Sequence, residues 1–154
     1  MIPESDLLGE LLPRLTRLSA VLTRSPVIED AQRAAGASLD RPGIGVLTAL
    51  RLAARPMRIG EIAENQQVAG PHVTRTVTGL EQRGMVHRVT DPHDQRARLV
   101  ELTDEGAAAA DRYVQTVFGF FTDAMAEWSP EDRRTLGALL GRLVDDVTTR
   151  LATR

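Results

Sequence analysis

The sequence predicts a mostly α-helical chain of the α+β class, with one β-hairpin beyond its middle. Apolar residues recur three and four positions apart through most of the 154 residues, which is the spacing of one helix face. Two runs rich in β-branched residues, at 86–90 and 98–102, flank an Asp-Pro turn signal. Two short helical patterns, joined by a polar turn, come directly before this hairpin.

The first three predicted elements precede these two helices. Residues 5 to about 24 form a leucine-striped amphipathic helix, which we expect Pro13 to kink because proline removes one helical hydrogen bond. Residues 28–35 predict a short helix. Asp40 has the side chain and the position of an N-cap for a further helix over 41–54.

A tight turn joins the two short helices. Ile59, Ile62 and Ala63 give the first of them an apolar face at helical spacing. Residues 65–67 form the polar turn, and we expect Val68 to pack into the angle between the helices. The pair therefore predicts a helix-turn-helix.

The second helix runs from about Gly70 to Arg83 and ends at Gly84, a residue that suits a left-handed cap. Val73, Val77 and Leu80 recur on its buried face. The opposite face has few acidic neighbours and carries side chains suited to hydrogen bonding, so we expect it to contact DNA. The contact residues predicted from this helix are Gly70, Pro71, His72, Thr74, Arg75, Thr76 and Thr78.

The hairpin follows this helix directly, so we interpret it as a wing. Strands over Val86–Thr90 and Arg98–Leu102 are joined by a charged loop that Asp91 and Pro92 open. An arginine at a wing tip can enter a narrow minor groove. The wing residues predicted to contact DNA are His93, Gln95, Arg96 and Arg98. Together these elements predict a mostly α winged helix-turn-helix.

Two long helices complete the chain. Thr103 caps a helix that we expect to run to Trp128, and Ser129 begins the last one. Their apolar faces are too long for so small a DNA-binding unit to cover, and the first helix has the same problem. Pairing across a two-fold axis would cover all three and would place two recognition helices about 34 Å apart. The residues predicted at this dimer interface are Leu7, Leu8, Leu11, Leu136, Leu140, Leu143 and Val147. The chain would thus divide into a dimerisation region, 1–35 and 107–154, and a DNA-binding domain, 36–106.

Composition narrows the possible functions. The net charge is −2, yet residues 70–98 carry five arginines against three acids, with all three histidines added. A basic surface on an acidic body suits specific DNA binding. The chain has no cysteine, no chelating histidine pair and no phosphate loop or nucleophile motif, so we expect no metal, cofactor or catalysis. With neither a signal peptide nor a membrane span in the pattern, we expect a cytoplasmic protein.

The stretch DPHDQRARLVELTDEG resembles the wing signature of the MarR (multiple antibiotic resistance regulator) family of winged-helix transcription factors. The matching residues are Asp91, Pro92, Asp94, Arg96, Leu102, Thr103 and Gly106, and VTRTVTGLEQRGMV is similar to the family's recognition helix and its exit. The resemblance implies that Arg96 enters the minor groove and that Asp94 positions the wing through an ion pair. Arg98 either pairs with Asp94 or touches DNA. Gln95 and Gln67 depart from the family, which often has a second arginine and a turn glycine there.

The resemblance further implies a regulator, more often a repressor, that binds a pseudo-palindromic operator as a homodimer and is released by a small molecule. The aromatic residues between 113 and 128 either line an effector pocket or form helix-packing core, and their spacing favours core. Residues that could build such a pocket are Arg14, Arg17, Ser19, Tyr113, Phe118 and Phe121. Two other functions fit the pattern: a winged helix that binds protein, and a nonspecific architectural DNA-binding protein.

Overall fold

The computed structural model describes residues 4–36 and 38–153, with side chains described from residue 9 onward. The described residues form seven helices and two strands. In chain order they are α1 (Glu4–Arg24), α2 (Pro26–Ala35), α3 (Arg41–Ala53), α4 (Ile59–Gln66), α5 (Gly70–Gln82), β1 (Val86–Asp91), β2 (Asp94–Leu102), α6 (Asp104–Ala124) and α7 (Pro130–Ala152). The chain divides into two compact units, and the boundary falls between Phe118 and Gly119, inside α6. Among the described residues, none of the helices is long and apolar enough to cross a bilayer.

Three helix starts lie where local chemistry places them. Ser25 accepts a hydrogen bond from the Val27 amide at 3.1 Å, Asp40 accepts from Gly43 at 2.9 Å, and Ser129 accepts from Asp132 at 3.1 Å. Each side chain satisfies one amide that a helix leaves unpaired in its first turn. The predicted caps at Asp40 and Ser129 are therefore confirmed.

The core of the first unit joins α3, α4 and α5 to the hairpin and the start of α6. Its largest fully buried side chains include Leu47, Ile62, Val77 and Val100. The strands are antiparallel, and Met57 extends the ladder, since its amide and carbonyl bond to the carbonyl and amide of Val100 at 3.0 and 2.8 Å. The segment before α4 is thereby fixed to the wing.

Val68 does not pack into the angle between α4 and α5, because 39% of its surface is exposed. Gln67 adopts the left-handed conformation at φ 55°, and the Val68 amide donates to the Ala63 carbonyl at 3.0 Å. The backbone therefore closes this turn, and the valine is left at the surface. The prediction was wrong because a residue after a left-handed position no longer follows the helical period.

Two element bounds differ from prediction by more than two residues. Helix α6 ends at Ala124 rather than Trp128, and the amides of Ala126 and Trp128 donate to carbonyls three residues earlier, at 3.1 and 3.0 Å. The Arg133 guanidinium donates to the carbonyls of Met125 and Ala126 in this turn, at 2.7 and 3.0 Å. Strand β2 begins at Asp94 rather than Arg98. Helix α1 continues through Pro13.

Both terminal helices leave apolar residues exposed. On α1 these are Leu12, Leu15, Leu18 and Val21, and Leu11 is half-buried; the side chains of Leu7 and Leu8 lie outside the described residues. In the second unit, α7 exposes all four residues predicted for the interface, Leu136, Leu140, Leu143 and Val147, together with Leu139, Val144 and Leu151.

Candidate nucleic-acid interface and effector cavity

Helix α5 presents its polar face outward because Val73, Val77 and Leu80 anchor the opposite face in the core. Of the predicted contact residues, Pro71, His72, Thr74, Arg75 and Thr78 are exposed, whereas Gly70 and Thr76 are half-buried. The Arg75 guanidinium has one long contact, 3.5 Å from Nε to the Pro71 carbonyl, so its donors remain available to a ligand.

The threonines of α5 present acceptors rather than free donors. The hydroxyls of Thr74, Thr76 and Thr78 donate to the carbonyls one turn earlier, of Gly70, His72 and Thr74, at 2.9–3.1 Å. Their lone pairs can still accept from base amino groups.

The exit of α5 is a Schellman motif. The Gly84 amide donates to the Glu81 carbonyl at 3.0 Å and the Met85 amide donates to the Leu80 carbonyl at 3.0 Å, with Gly84 at φ +70°. The predicted left-handed glycine cap is confirmed.

Thr103 and Gly106 join this exit to the start of α6. The Thr103 hydroxyl donates to the Gly84 carbonyl at 2.6 Å and accepts from the Gly106 amide at 3.1 Å, and its own amide donates to the Met85 carbonyl at 3.1 Å. A Cβ on Gly106 would lie 1.9 Å from that Met85 oxygen. These two residues of the LTxxG part of the wing signature therefore hold α5 and α6 together.

The wing tip contains a two-residue turn followed by a bulge. In the strand register, Asp91 lies opposite Asp94 and Thr90 lies opposite Arg98. Residues 95–97 therefore have no partner on β1. Arg96 lies in this bulge, exposed, and its amide donates to the Asp94 carboxylate at 3.0 Å. His93 and Gln95 are exposed as well.

Arg98 does not pair with Asp94, one of the two roles predicted for it. Its Nη1 donates to Oγ1 of Thr90, its cross-strand neighbour, at 2.5 Å. The guanidinium stays exposed and keeps its other donors.

The main ion pair of the wing joins Asp91 to Arg58. Sequence reasoning placed Asp91 at the start of the wing turn but gave it no partner, and it missed Arg58. Asp91 is 6% exposed, and its Oδ2 accepts from Nη2 and Nε of Arg58 at 2.6 and 3.1 Å. Asp94, to which the family resemblance assigned this role, lies 4.0 Å from the same guanidinium. Hydrogen bonds from Arg58 and from the His93 amide hold the pKa of Asp91 below its ordinary value.

Arg88 is a further basic residue at this surface. On β1, its Nη2 donates to the Thr78 hydroxyl at 3.2 Å and its Nε lies 3.6 Å from the Glu81 carboxylate. It therefore links the wing to the C-terminal half of α5. Its place in a basic stretch was the one sequence signal for it.

A cavity of about 330 Å³ lies among α1, α2, α3 and α6 within the first unit. Its lining includes Gln32, Arg41, Thr48 and Tyr113, between the apolar side chains of Leu22, Ile28 and Ile44. Of the residues predicted for an effector pocket, Tyr113 alone lines it.

The other residues predicted for that pocket lie elsewhere. Arg14 pairs with Glu10 at 2.8 Å on an exposed face, and Arg17 is exposed on α1. Ser19 borders a separate surface depression along the same helix. Phe118 is 69% exposed, and Phe121 packs edge-on against Phe120 with ring centroids 5.6 Å apart. The spacing of residues along α6 could not show which of them line a cavity, because the other walls come from three different helices.

The second helix of the helix-turn-helix, α5, has an outward face. An antiparallel hairpin follows it directly and is bonded to the segment just before the first helix, α4. This arrangement defines the chain as a winged helix-turn-helix protein. Residues 47–97 match the model of the MarR family. The matched residues run from α3 into β2, so they include the helix-turn-helix and the wing turn that the wing signature singled out.

Curated relatives are similar to part of this chain, and a solved structure shares its fold. An uncharacterized HTH-type transcriptional regulator of Bacillus subtilis, YdgJ, is 36% identical over 75 residues, which cover 49% of this chain and 46% of YdgJ. The HTH-type transcriptional regulator PecS of Dickeya dadantii is 31% identical over 100 residues, or 64% of this chain and 60% of PecS. The chain thus spans about half to three fifths of these relatives. A MarR family protein from Bacillus stearothermophilus has the same fold, with a TM-score of 0.74 at 19% identity over 94% of this chain and 98% of that one.

Proposed function

We propose that the protein is a homodimeric, sequence-specific DNA-binding regulator of transcription that acts in the cytoplasm. The observation that carries the proposal is the exposed face of α5, with Arg75 in one long contact only and Arg88 joining the wing to the same helix. Helix α5 would enter the major groove, and Arg96 would enter the adjacent minor groove from the wing bulge. A dimer bound across a promoter excludes polymerase, so we expect repression.

The uncovered apolar faces of α1 and α7 support the dimer. An apolar stripe of this length is typical of a surface that another chain buries. Two copies related by a two-fold axis would present two α5 helices to a palindrome, with half-sites about one helical turn apart.

The cavity beside Tyr113 supports regulation by a small molecule. Apolar walls with a few polar groups, here Gln32, Arg41 and Thr48, are typical of ligand sites. Arg41 would favour an anionic group on the ligand. A ligand that binds one arrangement of the dimer better than the other would shift the population between DNA-binding and released forms.

Selection of genomic fragments on the purified protein, followed by titrations at two salt concentrations, tests the proposal. One palindromic site bound far more tightly than scrambled DNA supports a specific regulator. Uniform weak binding with a steep salt dependence indicates the architectural alternative, and no binding with or without added ligand indicates a protein-binding module.

The same titration tests Arg96. Arg96→Ala should weaken binding to the selected site by about 1–3 kcal/mol if Arg96 carries a groove contact. Arg33→Ala provides a control, because it removes the same charge from an exposed pair on α2. Equal affinities for the two variants would contradict a role for the wing tip.

A further inference from the structure

Arg58 connects the first helix of the helix-turn-helix to the turn of the wing. It lies at the N-cap position of α4, where its amide donates to the Glu61 carboxylate at 2.7 Å. Its side chain reaches residue 91, 33 positions along the chain, and places two donors on one carboxylate oxygen. Ser, Thr, Asn or Asp is the usual N-cap, so an arginine here is unexpected from helix capping alone.

The carboxylate that Arg58 contacts organises the wing turn. Oδ2 of Asp91 accepts from Arg58, and Oδ1 accepts from the His93 amide at 2.8 Å, inside the turn. Asp91 is the one charged side chain that is buried among the described residues. A buried carboxylate is stable only when it is paired and hydrogen-bonded, so the turn depends on the counter-charge from α4.

The neighbouring backbone fixes where Arg58 starts. Met57 is bonded to Val100 on β2 through both its amide and its carbonyl. Arg58 is thus held at the edge of the sheet, and its side chain forms a second connection between α4 and the wing, at the tip. Without it, the Met57–Val100 bridge would still hold the base of the wing.

We propose that Arg58 is a positioning residue that holds the wing turn, and through it Arg96, in the orientation that DNA requires. This inference rests on the proposed function. The path from Arg58 to Arg96 is short. Asp91 and Asp94 are opposite each other in the strand register across the turn, and the Asp94 carboxylate accepts a hydrogen bond from the Arg96 amide. Loss of the ion pair would free the bulge to sample several orientations, and DNA binding would then have to restore one of them.

Two variants distinguish a positioning role of Arg58 from electrostatic attraction between Arg58 and DNA. Arg58→Ala breaks the pair and removes a positive charge, whereas Asp91→Asn breaks it and removes a negative charge. If Arg58 only contributed electrostatic attraction, Asp91→Asn would leave DNA affinity unchanged or raise it. If Arg58 positions the wing, both variants weaken binding. We expect a loss of about 5- to 100-fold for each, bounded by what the Arg96 contact itself contributes.

Arg55 provides the matched control. It is exposed, lies three residues before Arg58 and pairs with Glu61 at 2.8 Å, without contact to the wing. Arg55→Ala should change affinity by less than about twofold, as expected for an exposed pair. Affinity losses that are equal for Arg55→Ala and Arg58→Ala would overturn the proposal.

A double-mutant cycle with Arg96→Ala tests the route. If Arg58 acts through the wing tip, Arg58→Ala should cost little further affinity once Arg96 is absent. Additive losses would mean that Arg58 touches DNA directly, and would overturn the positioning role.

Amide hydrogen exchange at residues 93–97 gives a readout that needs no DNA. Exchange there should be faster in Arg58→Ala and Asp91→Asn than in the wild type or Arg55→Ala, while the Val100 amide stays protected. Unchanged exchange would refute the inference on its own. Failure of the wild type to select any DNA, with faster exchange in both variants, would refute the proposed function and leave the anchoring of the wing established.

Discussion

Replacing Gly106 with alanine tests the junction between the exit of α5 and the start of α6. The added Cβ would lie 1.9 Å from the Met85 carbonyl oxygen and 2.9 Å from its carbon, where Cβ contacts in proteins do not fall below 3.0 Å. One backbone segment must therefore retreat by about 1 Å or more, and no flexible side chain is available to absorb the shift.

The expected loss in the free energy of unfolding follows from the steric overlap and from the hydrogen bonds at this site. Overpacking costs about 1–3 kcal/mol. A retreat of Met85 also breaks the hydrogen bond from the Thr103 amide, worth about 1 kcal/mol, and strains the Thr103 cap, worth about 1 kcal/mol more. We therefore expect Gly106→Ala to lower the free energy of unfolding by about 3–5 kcal/mol.

Urea unfolding followed by circular dichroism, at one fixed protein concentration, measures this difference. The control is Gly79→Ala in α5, where a new Cβ would meet nothing within 4 Å. We expect that variant to be about 0.5–1 kcal/mol more stable, because alanine loses less backbone entropy in a helix. A Gly106→Ala variant within about 1 kcal/mol of the wild type would refute the steric argument.

Three further predictions concern other contacts. Thr103→Val should cost about 1–2 kcal/mol of unfolding free energy, since it removes the cap and the bond to Gly84, whereas Thr103→Ser should be nearly neutral in the same urea assay. Because the folded pKa of Asp91 is lowered from 3.8, its stabilising contribution is complete above that pH and is lost as the pH falls through the folded value. The thermal midpoint of Asp91→Asn should therefore fall less steeply than the wild-type midpoint on acidification below about pH 4. The variant Leu140→Asp, on the exposed face of α7, should sediment as a monomer, whereas Arg142→Asp on the same helix should remain dimeric. If both variants sediment as dimers, the result would contradict the proposed interface.

The parts of the fold that were predictable from the sequence are those set by local chemistry. A carboxylate three residues before a helical amide, as at Asp40, or a glycine after the last turn, as at Gly84, determines a helix end without help from distant residues. The outward face of α5 was predictable for a similar reason. Its apolar residues recur with the helical period, which leaves Thr74 and Arg75 on the opposite side.

What could not be predicted depends on residues far apart in the chain. Asp94 matched the family signature and was expected to hold the wing through an ion pair, and it lies 4.0 Å from Arg58. Nothing in the sequence indicated that the buried carboxylate with the shorter bonds to Arg58 is Asp91. The turn that follows α6 is bonded by Arg133, which belongs to the next helix. Periodicity predicts on which face of its helix a residue lies, but it does not predict which side chains meet across the core.

The junction at Thr103 and Gly106 makes the last turn of α5 and the first turn of α6 a single stiff joint. Helix α5 has 13 residues and is therefore about 20 Å long. A tilt of about 10° imposed on α6, and carried through a joint that does not bend, would move the far end of α5 by about 3.4 Å, which is the rise of one base pair. In the proposed dimer, a small rotation of α6 would therefore displace the far end of each α5 by about one DNA base step, without deforming either helix.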